Sequence, residues 1–114
     1  MTKTDDASFY KDVVEGSNDK VVIAKFTAAW CAPCKAITPT LEKLIEDNND
    51  VLVYTVDIDE NPETAKLYSV RSIPTLIYFR NGYAVDTTVG NVTLATINKS
   101  VEKARNEQTD KAST

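Results

Sequence analysis

Two cysteines, Cys31 and Cys34, constrain the fold most, because they lie between a strand pattern and a helix pattern. Residues 21–26 precede them and are almost continuously apolar, which is typical of a central strand covered on both faces. Apolar residues at helical spacing follow them. Thiols three positions apart on a helix have Cβ atoms roughly 5 Å apart, close to the separation that a disulfide needs. The pattern therefore predicts a redox-active pair at a strand–helix junction.

A helix start would also activate a thiol at this position. Its unpaired N–H groups and positive dipole end stabilise a thiolate, which is the nucleophile of thiol chemistry. Pro33 fits the first helical turn, where its missing N–H costs nothing. We therefore interpret residues 30–35, W-C-A-P-C-K, as a site of thiol–disulfide exchange.

Three other uses of the cysteines stay open at this point. A structural disulfide is disfavoured because so short a loop restricts the unfolded chain little. A structural zinc ion takes four ligands, and a chain with two cysteines and no histidine would need carboxylates or a second subunit. Two inert buried thiols would leave Pro33 and the flanking pattern unexplained. We expect no metal.

Composition narrows the class of protein. At 114 residues, 42% hydrophobic and 26% charged, the chain suits one domain, which we expect over residues 1–106, with a flexible polar tail over 107–114. The net charge of -4 argues against nucleic acid or anionic membrane as a partner. The sequence has no apolar run of the kind that indicates a signal peptide or a membrane span, so we expect neither. A single Cys-x-x-Cys pair favours a reducing compartment, so we expect a cytoplasmic protein.

Periodicity and turn signals predict eight elements in the order α-β-α-β-α-β-β-α. These are a short helix through Phe9 and Val13 capped by Asp5 or Asp6, a strand at 21–26, a helix over 33–47 bent at Pro39, a strand at 51–58, a helix over 62–68 capped by Asn61, hairpin strands at 75–80 and 83–89, and a helix from Val92. We expect a small mixed sheet with helices on both faces.

From about residue 4 to residue 104, the chain resembles the thioredoxin family. The resemblance rests on residues 30–35, Pro39, the S-I-P-T of residues 72–75, and the R-N-G of residues 80–82 followed by Gly90. It implies an α/β thioredoxin fold, with a central mixed sheet of four to five strands and helices on both faces.

The resemblance also implies roles for individual residues. Cys31 would be the exposed nucleophile, Cys34 the more buried resolving thiol, and Ile73-Pro74 a cis peptide beside them. A mostly apolar rim would dock substrates: Trp30, Ala32, Pro33, Ile73, Pro74, Thr75 and Gly90. Ala32, Pro33 and Pro74 would also tune the pair.

Lys25 departs from the family pattern. It stands six residues before Cys31, where most thioredoxins carry a buried aspartate, and Thr55 stands where many relatives have the lysine that partners it. A lone buried ammonium is costly unless it is paired or its pKa is shifted. Lys25 therefore either lies beneath the cysteines and tunes them, or extends to water at the sheet edge. The first strand has only residues 1–4 to build it, and we expect it to be frayed or reduced.

The family's activity would be reduction of protein disulfides, in which the two sulfurs carry the electrons and no cofactor is needed. The implied partners are disulfide-containing proteins and a thioredoxin reductase or an equivalent electron donor, and we expect a monomer. Two alternatives stay open: a disulfide oxidase or isomerase, and a non-catalytic binding subunit that uses the apolar rim.

Overall fold

In a computed structural model of the chain, which describes residues 1–107, five strands form one sheet in the order β1–β3–β2–β4–β5. The strands are β1 (Thr2–Lys3), β2 (Val21–Thr27), β3 (Val51–Asp57), β4 (Thr75–Arg80) and β5 (Tyr83–Val89). The helices are α1 (Ala32–Ala36), α2 (Thr38–Asp47), α3 (Pro62–Leu67) and α4 (Leu94–Arg105), and a π-helical turn (Tyr10–Val14) and a 3₁₀ turn (Glu15–Asn18) precede β2. Strands β1, β3 and β2 are parallel, whereas β4 is antiparallel to both of its neighbours. The predicted mixed sheet is confirmed, and the predicted tail lies almost wholly outside the described residues.

The central strand β2 is covered on both faces, as its apolar sequence predicts. Its first six residues are buried. Ile23 packs with the α2 and α4 side chains Leu41 and Ile97 on one face, while Phe26 packs with Phe9 on the other. Residues of alternating parity therefore belong to two separate cores, one on each side of the sheet.

The first strand is formed but reduced, as expected. Thr2 and Lys3 pair in parallel with Tyr54 and Thr55 of β3, and the ladder ends one residue later.

Of the two predicted helix caps, one makes the expected side-chain hydrogen bond and the other does not. Asp5 does begin the first helical segment, because its carboxylate accepts the N–H of Ser8 at 2.8 Å. Asn61 occupies the N-cap position of α3, as predicted, but its side chain accepts no capping hydrogen bond. The carboxylate of Asp6 accepts the N–H groups of Glu63 and Thr64 instead, while the Asn61 amide oxygen accepts the N–H of Asp6.

The predicted bent helix is broken into α1 and α2. Pro39 has no N–H to bond the carbonyl four residues back, and Ile37 between the helices adopts φ -82°, ψ -12°. The break places the start of α2 against the end of α1.

The Asn-Gly hairpin is confirmed. Asn81 and Gly82 have φ of 56° and 84°, the two left-handed positions of a tight turn that matches strand twist. The last helix α4 begins at its cap Thr93 and buries Ile97, Val101 and Ala104.

Candidate active site

The two cysteines lie at the carboxyl end of the central strand and are joined in a disulfide. Cys31 is the N-cap of α1 in an extended conformation, and Cys34 lies in the first turn, so their Cα atoms are 5.3 Å apart. The Cys31 Sγ accepts the N–H of Cys34 at 3.2 Å. This bond satisfies one of the unpaired N–H groups of the helix start. Pro33 takes an early position of α1, as predicted.

Both cysteines are buried in this disulfide form, with 3% of Cys31 and 1% of Cys34 exposed. They form a small apolar cluster with Ala28, against which Ile58 and Ile73 pack. The exposure predicted for Cys31 is therefore not seen in the oxidised protein. What distinguishes the two residues is position: Cys31 caps the helix, and Cys34 lies within it.

The loop before β4 comes to the disulfide from the other side. The Ile73–Pro74 peptide bond is cis. The Pro74 carbonyl accepts the N–H of Gly90 at 2.8 Å, and Gly90 has φ 88°, a conformation that favours glycine. Pro74 and Thr75 are themselves buried, and the Thr75 hydroxyl donates to the carbonyl of Ser72. The structure thus gathers Ile73, Pro74 and Gly90, whereas the Thr75 side chain points to an internal partner.

Trp30, predicted as part of the substrate-docking rim, lies at the surface. It is 68% exposed, and its indole Nε1–H donates to Asp59 Oδ2 at 2.8 Å. Asp59 was not predicted as a site residue. A signal existed, because Asp59 follows β3 and the carboxyl ends of neighbouring parallel strands meet at one edge of the sheet.

Lys25 is buried, with 4% of its surface exposed, so the alternative in which it extends to water is wrong. Its Nζ donates to Thr38 Oγ1 at 2.9 Å, and Thr38 in turn donates to the Cys34 carbonyl at 3.4 Å. Burial lowers the pKa of Lys25, and the carboxylate of Glu42 raises it by a smaller amount. Thr38 was not predicted as a site residue, although it stands four residues after Cys34, the spacing at which a helical threonine hydroxyl can bond the earlier carbonyl.

Among residues 1–107, no three His, Cys, Asp or Glu side chains cluster closely enough to hold a metal ion. None of the helices in that range combines the length and apolar character needed to cross a membrane.

A Cys-x-x-Cys disulfide at a strand–helix junction of a mixed five-stranded sheet defines a thiol–disulfide oxidoreductase. The thioredoxin family profile matches residues 1–103. The thioredoxin of Bacillus subtilis (strain 168) is 46% identical over 91 residues, which cover 79% of this chain and 84% of that relative. The bifunctional thioredoxin reductase/thioredoxin of Mycobacterium leprae (strain TN) is 45% identical over 86 residues, which cover 75% of this chain and 18% of that relative.

The fold comparison agrees. The X-ray structure of Fasciola hepatica thioredoxin matches with a TM-score of 0.82 and 27% identity, covering 91% of this chain and 99% of that one. The chain belongs to the thioredoxin family. Its activity is protein disulfide reduction by dithiol–disulfide exchange.

Proposed function

We propose that Cys31 attacks the substrate disulfide and that Cys34 resolves the product. The Cys31 thiolate displaces one substrate sulfur, which leaves as a thiolate and takes up a proton. Cys34 then loses its proton and attacks Cys31 Sγ, releasing the second substrate sulfur. Two electrons pass to the substrate, and the protein disulfide closes. The observation that carries this assignment is the Cys34 N–H donated to Cys31 Sγ, because the same N–H would stabilise a Cys31 thiolate.

The substrate would dock on the rim around the disulfide. Trp30 offers an exposed aromatic face, and Ile73 is a half-buried apolar neighbour of the cysteines. Pro74 and Gly90 are joined by a backbone hydrogen bond beside them. Their buried neighbour Thr75 would contribute through its backbone.

Ala32 and Pro33 complete the rim and are exposed at the start of α1. Pro33 would tune the pair by fixing the backbone between the cysteines, and Ala32 by stiffening the first turn. Pro74 would tune it from the facing loop.

The electron donor would be a thioredoxin reductase or an equivalent reductase, and the substrates would be disulfide-containing proteins. Family membership supports this choice, as does the relative whose name joins the reductase and thioredoxin. The protein would act as a monomer in redox homeostasis of a reducing compartment such as the cytoplasm, because its only cysteines are the exchanging pair.

Single-cysteine variants test the two roles. We expect Cys34→Ser to trap a mixed disulfide with insulin whose disulfides are intact, because the attacking thiol remains and the resolving thiol is lost. Cys31→Ser is the matched control and should trap little. In the reduced wild-type protein, brief iodoacetamide treatment followed by mass mapping should label Cys31 faster. Equal labelling, or trapping by Cys31→Ser instead, would contradict the assignment.

Reduction of insulin disulfides with electrons from a thioredoxin reductase tests the donor. The double variant Cys31→Ser/Cys34→Ser is the control and should show only the background rate. A wild-type rate equal to this background would contradict the proposed donor.

A further inference from the structure

A buried ammonium lies on the central strand within hydrogen-bond reach of the helix break. Lys25 is on the face of β2 that α2 covers, and its cross-strand neighbours are the uncharged Thr55 and Leu76. Within residues 1–107, no carboxylate lies within salt-bridge distance of its Nζ, and Thr38 is its hydrogen-bond partner. Such a charge costs stability, so its position calls for a reason other than packing.

Two hydrogen bonds join this ammonium to the backbone of Cys34. The Thr38 hydroxyl accepts a hydrogen bond from Lys25 and donates one to the Cys34 carbonyl. The hydroxyl therefore acts as both acceptor and donor, and it links the ammonium to the helix backbone. Thr38 stands four residues after Cys34, the spacing at which a helical threonine hydroxyl can bond the earlier carbonyl, and the same hydroxyl accepts from Lys25 on the strand that α2 covers. Cys34 is buried as well, and water screens charges little between two buried groups.

The other titratable groups on the elements around Lys25 do not cancel its charge. Glu42 on α2 is exposed, and its carboxylate raises the pKa of Lys25 by less than burial lowers it. On β3, the Asp57 carboxylate accepts N–H groups of the turn that follows the strand. On β4, the Tyr78 hydroxyl is hydrogen bonded to Thr88 of β5. The protonated Lys25 therefore presents a positive charge toward the first turn of α1.

We propose that Lys25, held by Thr38, is a positioning residue that favours the thiolate of Cys34 in the resolving step. This proposal rests on the proposed function, in which Cys34 must lose its proton before it attacks Cys31 Sγ. The ammonium gains and loses no electrons and forms no bond to sulfur. It lowers the free energy of the charged sulfur relative to the neutral thiol, and that lowering depends on the protonation of Lys25 itself.

The pH dependence of Cys34 alkylation tests the proposal. In a Cys31→Ser background, Cys34 is the only thiol, and iodoacetamide reacts with its thiolate. We expect Lys25→Met in this background to raise the apparent pKa of Cys34 by about one unit, which slows alkylation about tenfold below that pKa. Lys25→Arg should retain part of the wild-type profile, because it keeps the charge. The matched control is Lys99→Met, which removes an exposed lysine of α4.

Thr38→Val gives a second and milder test, since it keeps the ammonium and the side-chain shape while removing the hydroxyl link. We expect its Cys34 profile to shift in the same direction as that of Lys25→Met. A profile that is unchanged in both variants, or that moves to lower pH, overturns the proposal. No substrate is present in these measurements, so their failure is distinguishable from failure of the mixed-disulfide trapping that tests the proposed function.

Discussion

Lys25→Met should stabilise the oxidised protein against unfolding. Methionine keeps an unbranched apolar stem of similar length, and the substitution removes the charge of a residue that is 4% exposed to water. Thr38 would keep its bond to the Cys34 carbonyl, so no buried hydroxyl is left without a partner. The variant therefore isolates the cost of the ammonium.

The direction of the effect follows from the lowered pKa of Lys25, and its size from comparable substitutions of buried charges. Burial is the main cause of the lowered pKa of Lys25, and each unit of lowering corresponds to about 1.4 kcal/mol against the charged form in the folded state. Replacing a buried ion pair by apolar groups of similar volume is often neutral or stabilising by about 1–4 kcal/mol, and within residues 1–107 Lys25 lacks the attraction of a paired carboxylate. We expect a gain of about 1–3 kcal/mol near neutral pH. The midpoint of thermal unfolding would rise by roughly 4 °C per kcal/mol.

The sign of the pH dependence is also determined. Because the pKa of Lys25 is lower in the folded than in the unfolded protein, the unfolded protein binds more protons at this side chain between the two values. Wild-type stability therefore rises with pH across this window, up to the ordinary lysine pKa of about 10.4. Lys25→Met lacks this contribution, so its advantage should shrink as the pH rises.

Urea unfolding followed by circular dichroism at about pH 7 and about pH 9.5 measures both effects. Lys99→Met is the control for loss of a lysine at the surface and should change stability little. A Lys25→Met protein that is less stable than wild type at neutral pH, or an advantage that stays constant with pH, would refute the reasoning.

Two further predictions concern hydrogen bonds to carboxylates. The bonds that Asp6 accepts from the start of α3 lower its pKa, so they stabilise the protein above about pH 3.9 and are lost as the pH falls through the folded-state pKa. Asp6→Asn should therefore be less stable than wild type at neutral pH and lose less stability than wild type as the pH falls. Thermal unfolding at neutral and at acid pH would measure both effects, and equal losses of stability in acid for the two proteins would contradict this. Asp59→Ala removes the acceptor of the Trp30 indole and should raise the KM for insulin reduction about two- to fivefold, the equivalent of roughly 0.5–1 kcal/mol for one exposed hydrogen bond, with kcat kept. Glu60→Ala is the matched control, and an equal KM in both variants would rule out this role for Asp59.

Local rules predicted those parts of the fold that depend on neighbours in sequence. The continuous apolar run of β2, the Asn81-Gly82 turn and the approach of the two cysteines each follow from spacing over a few residues. The acceptor of the capping hydrogen bonds of α3 was missed because it is the carboxylate of Asp6, more than fifty residues away, and not the side chain of Asn61 at the N-cap position. No pattern within the helix itself contains that information.

The site shows the same division. Strand alternation assigns Lys25 to a face of the sheet, but it does not say whether the long side chain reaches water. In the structure the Lys25 Nζ donates to Thr38 and the residue is 4% exposed, an outcome of tertiary packing that strand alternation does not contain. Asp59 could have been placed near Trp30 from the order of the strands, whereas the hydrogen bond between them required side-chain geometry.

Several departures from ordinary local structure converge on the disulfide. Lys25 is joined to Cys34 through Thr38, and the helix break at Ile37 comes three residues after Cys34. The left-handed Gly90 bonds Pro74, whose neighbour Ile73 packs against the cysteines. Sequences that otherwise follow local rules tend to break them where function requires it. For Lys25 this idea requires two results together, one from the unfolding measurement and one from the alkylation of Cys34. If Lys25→Met gains stability and also raises the pKa of Cys34, then the buried charge destabilises the fold and also favours the thiolate of the resolving cysteine. A gain in stability with an unchanged Cys34 would make Lys25 only a buried charge that the scaffold tolerates.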